Sequence, residues 1–277
     1  MSQSASNSRL QSRFAAANNT ARKVLIPFIT AGDPFVDGTV EFMHALVDAG
    51  ADIIELGVPF SDPMADGPVI QAASERAIER GISLAAVLDM VKQFRGNDNK
   101  TPVVLMGYLN PVFRMGFEKF ANISATAGVD AVLLVDSPPE ESQTLELRLS
   151  EQGIAMVRLV APTTTNERMK LIAANANGFI YYVAIKGITG SQGASTDENI
   201  NAKATIDKMR DLSALPVAVG FGIKDGKSAA QWAAQADAVV IGSALVSRLA
   251  SSESISDGKE IIKSFLAPIR AAIDNVS

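Results

Sequence analysis

The chain has 277 residues, 47% hydrophobic and 20% charged, enough for one large domain or two small ones with a sizeable core. It has no cysteine, which excludes a disulfide framework and thiolate chemistry. A net charge of −5 without a basic patch argues against nucleic acid as a partner, and no apolar run approaches the ~18 residues that would cross a bilayer. The lack of cysteine suits a reducing compartment, and a cytoplasmic protein is the expectation.

Residues 1–23 hold five serines, three arginines, one lysine and no acid. Such a composition has two readings. One is a transit peptide for plastid import; the other is a disordered tail over 1–8 followed by a short amphipathic helix around Leu10 and Phe14. We adopt the second as the working expectation. No apolar segment of the secretory kind is present.

Beyond this start, apolar β-rich runs alternate with helix-forming sequence. Strands are predicted at Val24–Ile29, Asp52–Val58, Pro102–Met106, Ala131–Val135, Ala155–Val160, Phe179–Ala184, Pro216–Val219 and Ala238–Ile241. Helices are predicted near Asp37–Ala49, Val69–Arg80, Leu84–Phe94, Phe117–Ala127 and Glu140–Gln152, several of them stopping at a glycine. Many of the strands are apolar on both faces, as in a parallel sheet. Eight strand–helix repeats in about 250 residues, with no break in composition, predict an α/β chain: a single-domain (β/α)8 TIM barrel over 9–277 with a short extra N-terminal helix. A doubly wound open sheet is the competing architecture, usually with fewer strands.

In a barrel the chemistry sits at the C-terminal ends of the strands. The irregular, glycine-rich and acidic stretches lie there. The longest runs from Glu55 to Pro68. Glu55 closes an apolar run, and Asp66 follows eleven residues later, after prolines and glycines that forbid regular structure. Two carboxylates in one such segment can differ in surroundings, so that one shuttles a proton while the other stays ionised. The plainer reading makes Glu55 a solvated strand-end charge and Asp66 a turn former.

Gly220-Phe221-Gly222-Ile223 follows the seventh strand and Gly242-Ser243-Ala244-Leu245 the eighth, where such barrels hold phosphate through backbone amides. Ordinary tight turns are the alternative. The polar, glycine-rich segment 187–198 has the length of a lid or of a disordered loop. Lys186 admits a Schiff-base role or a solvated position beside Gly187. His44 and Trp232 read as packing residues, and no cluster has metal-ligand spacing.

Taken together these stretches resemble the tryptophan synthase α subunit. The matching motifs are Pro27-Phe28-Ile29-Thr30-Ala31-Gly32-Asp33-Pro34, Glu55 to Gln71, Tyr108-Leu109-Asn110-Pro111, Glu140-Glu141-Ser142, Gly187-Ile188-Thr189-Gly190 and Gly220-Phe221-Gly222-Ile223. They span about Arg9 to Ile273. The resemblance implies retro-aldol cleavage of indole-3-glycerol phosphate to indole and glyceraldehyde 3-phosphate, without metal or organic cofactor. It implies Glu55 as the acid–base group and Asp66 as the acceptor for the indole N–H. Phe28, Tyr108, Leu133 and Tyr181 would line the indole pocket, Thr189 would close onto Asp66, and Gly190, Gly222, Gly242 and Ser243 would hold the phosphate. A pyridoxal-phosphate β subunit is the implied partner, in an α2β2 complex, with Asp62, Pro63, Asn110 and Pro111 at the contact. A fusion to that partner is not expected.

The chain departs from the family pattern at Ala184-Ile185-Lys186, where many members carry an arginine, and slightly at Asp136-Ser137-Pro138-Pro139. Two other functions stay open at this point: a Schiff-base aldolase using Lys186, and a non-catalytic barrel that only activates its partner.

Overall fold

A computed structural model describes residues 8–183, 196–220 and 222–276. Among the described residues there are nine strand segments: β1 (Val24–Thr30), β2 (Ile54–Gly57), β3 (Val103–Gly107), β4 (Ala131–Leu134), β5 (Ala155–Met156), β6 (Arg158–Val160), β7 (Ile180–Tyr182), β8 (Val217–Val219) and β9 (Ala238–Ile241). All neighbouring pairs are parallel, in the order β5-β4-β3-β2-β1-β9-β8-β7-β6. The two ends of that order, β5 and β6, are consecutive in the chain and separated only by Val157. The Val157 amide still bonds Val132 O at 2.9 Å. The predicted fifth strand is therefore one strand divided in two: its first half pairs with β4 and its second with β7. That division closes a (β/α)8 barrel.

The helices are α1 (Ser8–Asn19), α2 (Thr39–Asp48), α3 (Pro68–Glu79), α4 (Leu84–Phe94), α5 (Leu109–Met115), α6 (Phe117–Ala127), α7 (Gln143–Glu151), α8 (Asn166–Asn175), α9 (Thr196–Leu212), α10 (Gly226–Ala233), α11 (Ser243–Leu249) and α12 (Ile255–Asp274). Two differ from expectation. No helix was predicted at Tyr108-Leu109-Asn110-Pro111, yet Leu109 opens α5. Pro111 falls in the first helical turn, where a missing N–H breaks no intrahelical bond. The predicted lid boundary at 198 overlaps α9, which begins at Thr196.

Strand side chains alternate between two cores. Ile54, Leu56, Leu105 and Val132 pack outward under the helices, while Ile53, Val104, Leu133, Val157, Phe179, Tyr181 and Val240 fill the barrel. Helix α1 stoppers the N-terminal end of the barrel: Leu10 is fully buried, and Phe14 packs on Phe179 with ring centroids 5.7 Å apart. Burying two such side chains contributes on the order of 1.5–3 kcal/mol each. The arginines of the acid-free N-terminal segment have a structural use. Arg9 pairs with Asp130 at 2.8 Å, and Arg13 and Arg22 pair with Asp52. Ser8, assigned to the tail from sequence, opens this helix; the rest of that tail lies outside the described residues. His44 sits 4.7 Å from the Phe94 ring and Trp232 is buried, both as packing residues. Among the described residues no helix is long and apolar enough to cross a membrane.

Candidate functional site

Strand alternation turns Glu55 inward. Its neighbours Ile54 and Leu56 face the helical layer, so Glu55 shares the barrel-facing side of β2 with Ile53 and Gly57. It pairs in register with Phe28 on β1 and Val104 on β3. The side chain is not a solvated strand-end charge: Glu55 is 1% exposed, and among the described residues its Oε1 has no hydrogen-bond partner. Burial pushes the carboxyl up to about 8, with the charge of nearby Asp66 adding to the rise.

Asp66 comes to the same place by a different route. The prolines from Pro59 to Pro68 keep the segment out of regular structure, and Asp66 N bonds Pro63 O at 3.0 Å in a tight turn. Gly67 then caps α3, with Pro68 at its first position. The Tyr108 hydroxyl donates to Asp66 Oδ2 at 3.1 Å and accepts from the Ala65 amide at 2.9 Å. Burial raises the Asp66 carboxyl to about 6, against the hydrogen bond from Tyr108, which lowers it. Two carboxyl groups of one loop thus differ in environment, one in a dry barrel and one tied to a phenol.

Leu133 and Tyr181 belong to the inner core, and the buried Tyr181 hydroxyl is raised by its surroundings and then by Glu55. Phe28 lies between two glycines: a Cβ at Gly57 would stand 2.5 Å from its Cζ, and one at Gly242 would meet its Cβ at 3.6 Å. Phe28, Thr30, Gly57, Asp66, Met106, Tyr108 and Val135 surround a cavity at the mouth of the barrel. Gly222, at φ +61°, and Gly242-Ser243 at the head of α11 follow the neighbouring strands β8 and β9. Among the described residues a Cβ at Gly222 would meet nothing within 4 Å.

Asp62 and Asn110 are exposed and Pro63 and Pro111 half-buried. The loop that carries Asp62 and Pro63 and the head of α5 that carries Asn110 and Pro111 are joined where Phe60 stacks on Tyr108 at 5.0 Å. Met64, 92% exposed, and Phe113, 67% exposed, flank them. Thr189, Gly190 and Lys186 lie outside the described residues.

Sequence reasoning missed several supports. Gln71 Nε2 donates to the Asp66 carbonyl at 2.8 Å, a contact foreshadowed by its place in the first turn of α3. Asp136 Oδ1 accepts from Leu109 N at 2.7 Å. Among the described residues no group of three or more His, Cys, Asp or Glu side chains gathers as a metal site.

Fold and site together define a (β/α)8-barrel protein whose functional face lies at the C-terminal ends of its strands. The sequence matches the family model described as tryptophan synthase alpha chain over residues 14–271. A tryptophan synthase alpha chain from Thioalkalivibrio sulfidiphilus is 53% identical over 268 residues, covering 96% of this chain and all of that one. One from Xanthomonas oryzae pv. oryzae is 50% identical over 269 residues, covering 96% and 98%. Among solved structures, the crystal structure of tryptophan synthase subunit alpha from Legionella pneumophila superposes with a TM-score of 0.88 at 42% identity, covering 97% and 99%. The aminoacrylate-bound tryptophan synthase of M. tuberculosis gives 0.84 at 32% identity, covering 96% and 99%. The chain belongs to the tryptophan synthase alpha chain family and is an enzyme of the lyase kind.

Proposed function

We infer that this chain catalyses the α reaction of tryptophan biosynthesis, the retro-aldol cleavage of indole-3-glycerol phosphate. One observation carries the assignment of roles: a carboxyl group on the barrel wall, dry, unpaired and held protonated near neutral pH, beside a second carboxylate at the mouth. Indole C3 is a poor leaving group until it gains a proton. Neutral Glu55 donates that proton to C3, and the cationic indolenine forms with its N–H against ionised Asp66. Glu55, now a carboxylate, takes the proton of the side-chain hydroxyl. As that oxygen becomes the aldehyde, the bond to C3 breaks and its electron pair returns to the ring. Indole and glyceraldehyde 3-phosphate leave, and Glu55 is again protonated. Every proton in the cycle is carried by a side chain of this protein, so the reaction as written needs neither metal nor organic cofactor.

Phe28, Leu133, Tyr108 and Tyr181 clasp the indole. Gly222, Gly242 and Ser243 take the phosphate through amides at a helix start, with Gly190 and the closing Thr189 completing the site from the segment before α9. Binding energy from that remote dianion positions the reacting bond. The partner is a tryptophan synthase β subunit, a pyridoxal-phosphate enzyme receiving the indole in a cytoplasmic α2β2 complex. Asp62, Pro63, Asn110 and Pro111 form its seat. The exposed apolar side chains of Met64 and Phe113 beside them support this reading.

Indole release from indole-3-glycerol phosphate, measured with and without a β subunit, tests the assignment. Glu55→Gln is expected to lower kcat by at least ~10² while substrate still binds, and Asp66→Asn comparably. Wild-type turnover in Glu55→Gln refutes the mechanism.

A further inference from the structure

Arg158 is a charged residue where the packing asks for an apolar one. It lies on β6 in register with the buried Ile180 of β7, and it is 3% exposed. Burial pushes its guanidinium down to about 10. A buried charge is costly unless its donors are used. Two of its three nitrogens are used: Nη1 donates to Ser137 O at 2.8 Å, and Nη2 reaches Ser142 Oγ and pairs with Glu146, while Nε finds no partner among the described residues. Ser142 Oγ in turn donates to Glu146 Oε1 at 3.1 Å. All of these partners lie in one segment, 137–146, which leaves the C-terminal end of β4.

That segment starts beside Asp136, whose Oδ1 takes the amide of Leu109 at 2.7 Å. Leu109 is the first residue of α5, and the residue before it is Tyr108, which bonds Asp66. We propose that Arg158 is a positioning residue for Asp66: it pins the 137–146 segment, Asp136 then fixes the head of α5, and α5 sets the Tyr108 hydroxyl on the Asp66 carboxylate. A guanidinium suits the task because its fork spans a carbonyl on one side and a hydroxyl–carboxylate pair on the other. The catalytic consequence rests on the α-reaction reading; the structural relay does not.

The test uses the full-length chain and two variants. Arg158→Lys keeps a charge beside Glu146 but offers one nitrogen, so the Ser137 carbonyl loses its donor. Asp136→Ala breaks the next link without touching a buried ion pair, and decides the matter if the lysine variant does not fold. The chain has three tyrosines, 108, 181 and 182, so the Tyr108 ring-carbon NMR signal is assigned by Tyr108→Phe. Asp66 is faced by Tyr108 and Glu55, and Tyr108 by Asp66 and Asp136. In the wild type the Tyr108 signal should follow the Asp66 titration. In both variants the midpoint should move up by about half a pH unit, because the lost hydrogen bond favoured the carboxylate. The kcat for indole release should fall about 5–10-fold with KM changed less than twofold, the size of one lost hydrogen bond. A purely structural arginine would lower Tm and leave the Tyr108 titration and the kcat of the folded protein untouched, and that result overturns the proposal. If the wild type releases no indole while the Tyr108 titration moves in the variants, the relay stands and the functional reading falls.

Discussion

Gly220 stands so close to Tyr181 that a Cβ on it would lie 1.9 Å from the tyrosine hydroxyl and 2.4 Å from its Cζ. The ring has no room to retreat, since Tyr181 is buried in the inner core with its hydroxyl toward Glu55. Gly220→Ala is therefore expected to destabilise the fold by about 1–3 kcal/mol, as overpacking does, and to raise KM about tenfold by displacing a wall of the indole pocket. Gly242→Ala is the contrast. Its Cβ would meet Phe28 at an ordinary 3.6 Å, so Tm should hold while KM rises several-fold from crowding of the phosphate. Thermal melts and steady-state kinetics on both variants check this; equal melting temperatures would remove the steric argument.

Glu55 should make the protein less stable as pH rises. Its folded-state carboxyl is raised to about 8 from an ordinary value near 4.5. Between those values the folded state holds a proton that the unfolded state has released. Stability therefore falls as pH climbs through that window and levels above it. Glu55→Gln removes the ionisation. Its stability advantage over wild type should be small at pH 5 and grow to on the order of 4 kcal/mol by pH 9. Urea unfolding at the two pH values measures it. A constant difference would mean that Glu55 is not buried as described. An acid group kept dry for chemistry at a cost in stability is the expected pattern of a functional site.

The sequence revealed the barrel because strands buried on both faces cannot disguise their composition: the runs at 24–29, 131–135 and 238–241 carry scarcely a polar residue. It revealed the Glu55–Asp66 segment because prolines and glycines announce a built loop. It did not reveal that the fifth strand divides at Val157, since the division comes from which neighbour each half bonds, a tertiary matter. It did not reveal α5, since a proline's meaning depends on its distance from the helix start, and Pro111 lies in the first turn. The support of Asp66 was the least legible part. Tyr108 and Gln71 act on it through single hydrogen bonds, and the Ala65 amide holds the Tyr108 hydroxyl through another, which composition and spacing do not encode.

The rate should depend on pH through both carboxyl groups. The proposed cycle needs Asp66 ionised and Glu55 protonated. Asp66 is raised to about 6 and Glu55 to about 8, so indole release should follow a bell with limbs near those values and a maximum near neutrality. Tyr108→Phe removes the donor that favours ionised Asp66, so the acid limb should move upward while the alkaline limb stays. A profile flat from pH 5 to 9 would separate these two groups from the chemistry.

Asp52 tests the other end of the barrel. It is 1% exposed and accepts from Leu25 N at 2.9 Å and from Arg270 Nη1 at 2.8 Å, and it pairs with Arg22. These contacts join α12, the chain before β1 and the entry to β2 at the N-terminal face, away from the mouth. Asp52→Ala takes the acceptor from Nη1 of the mostly buried Arg270, leaving its Nε and Nη2 on Asp274 and the Lys23 carbonyl, and takes the side-chain acceptor from the buried Leu25 amide. Breaking one side of such a pair typically costs about 3–5 kcal/mol, so Tm should drop sharply. Because this face holds stability and the opposite face the chemistry, kcat of the folded variant should match wild type at low temperature. Calorimetry paired with indole release at 15 °C distinguishes the two effects. A large fall in kcat with an unchanged Tm would place Asp52 in the catalytic machinery and contradict the division of labour between the barrel's two ends.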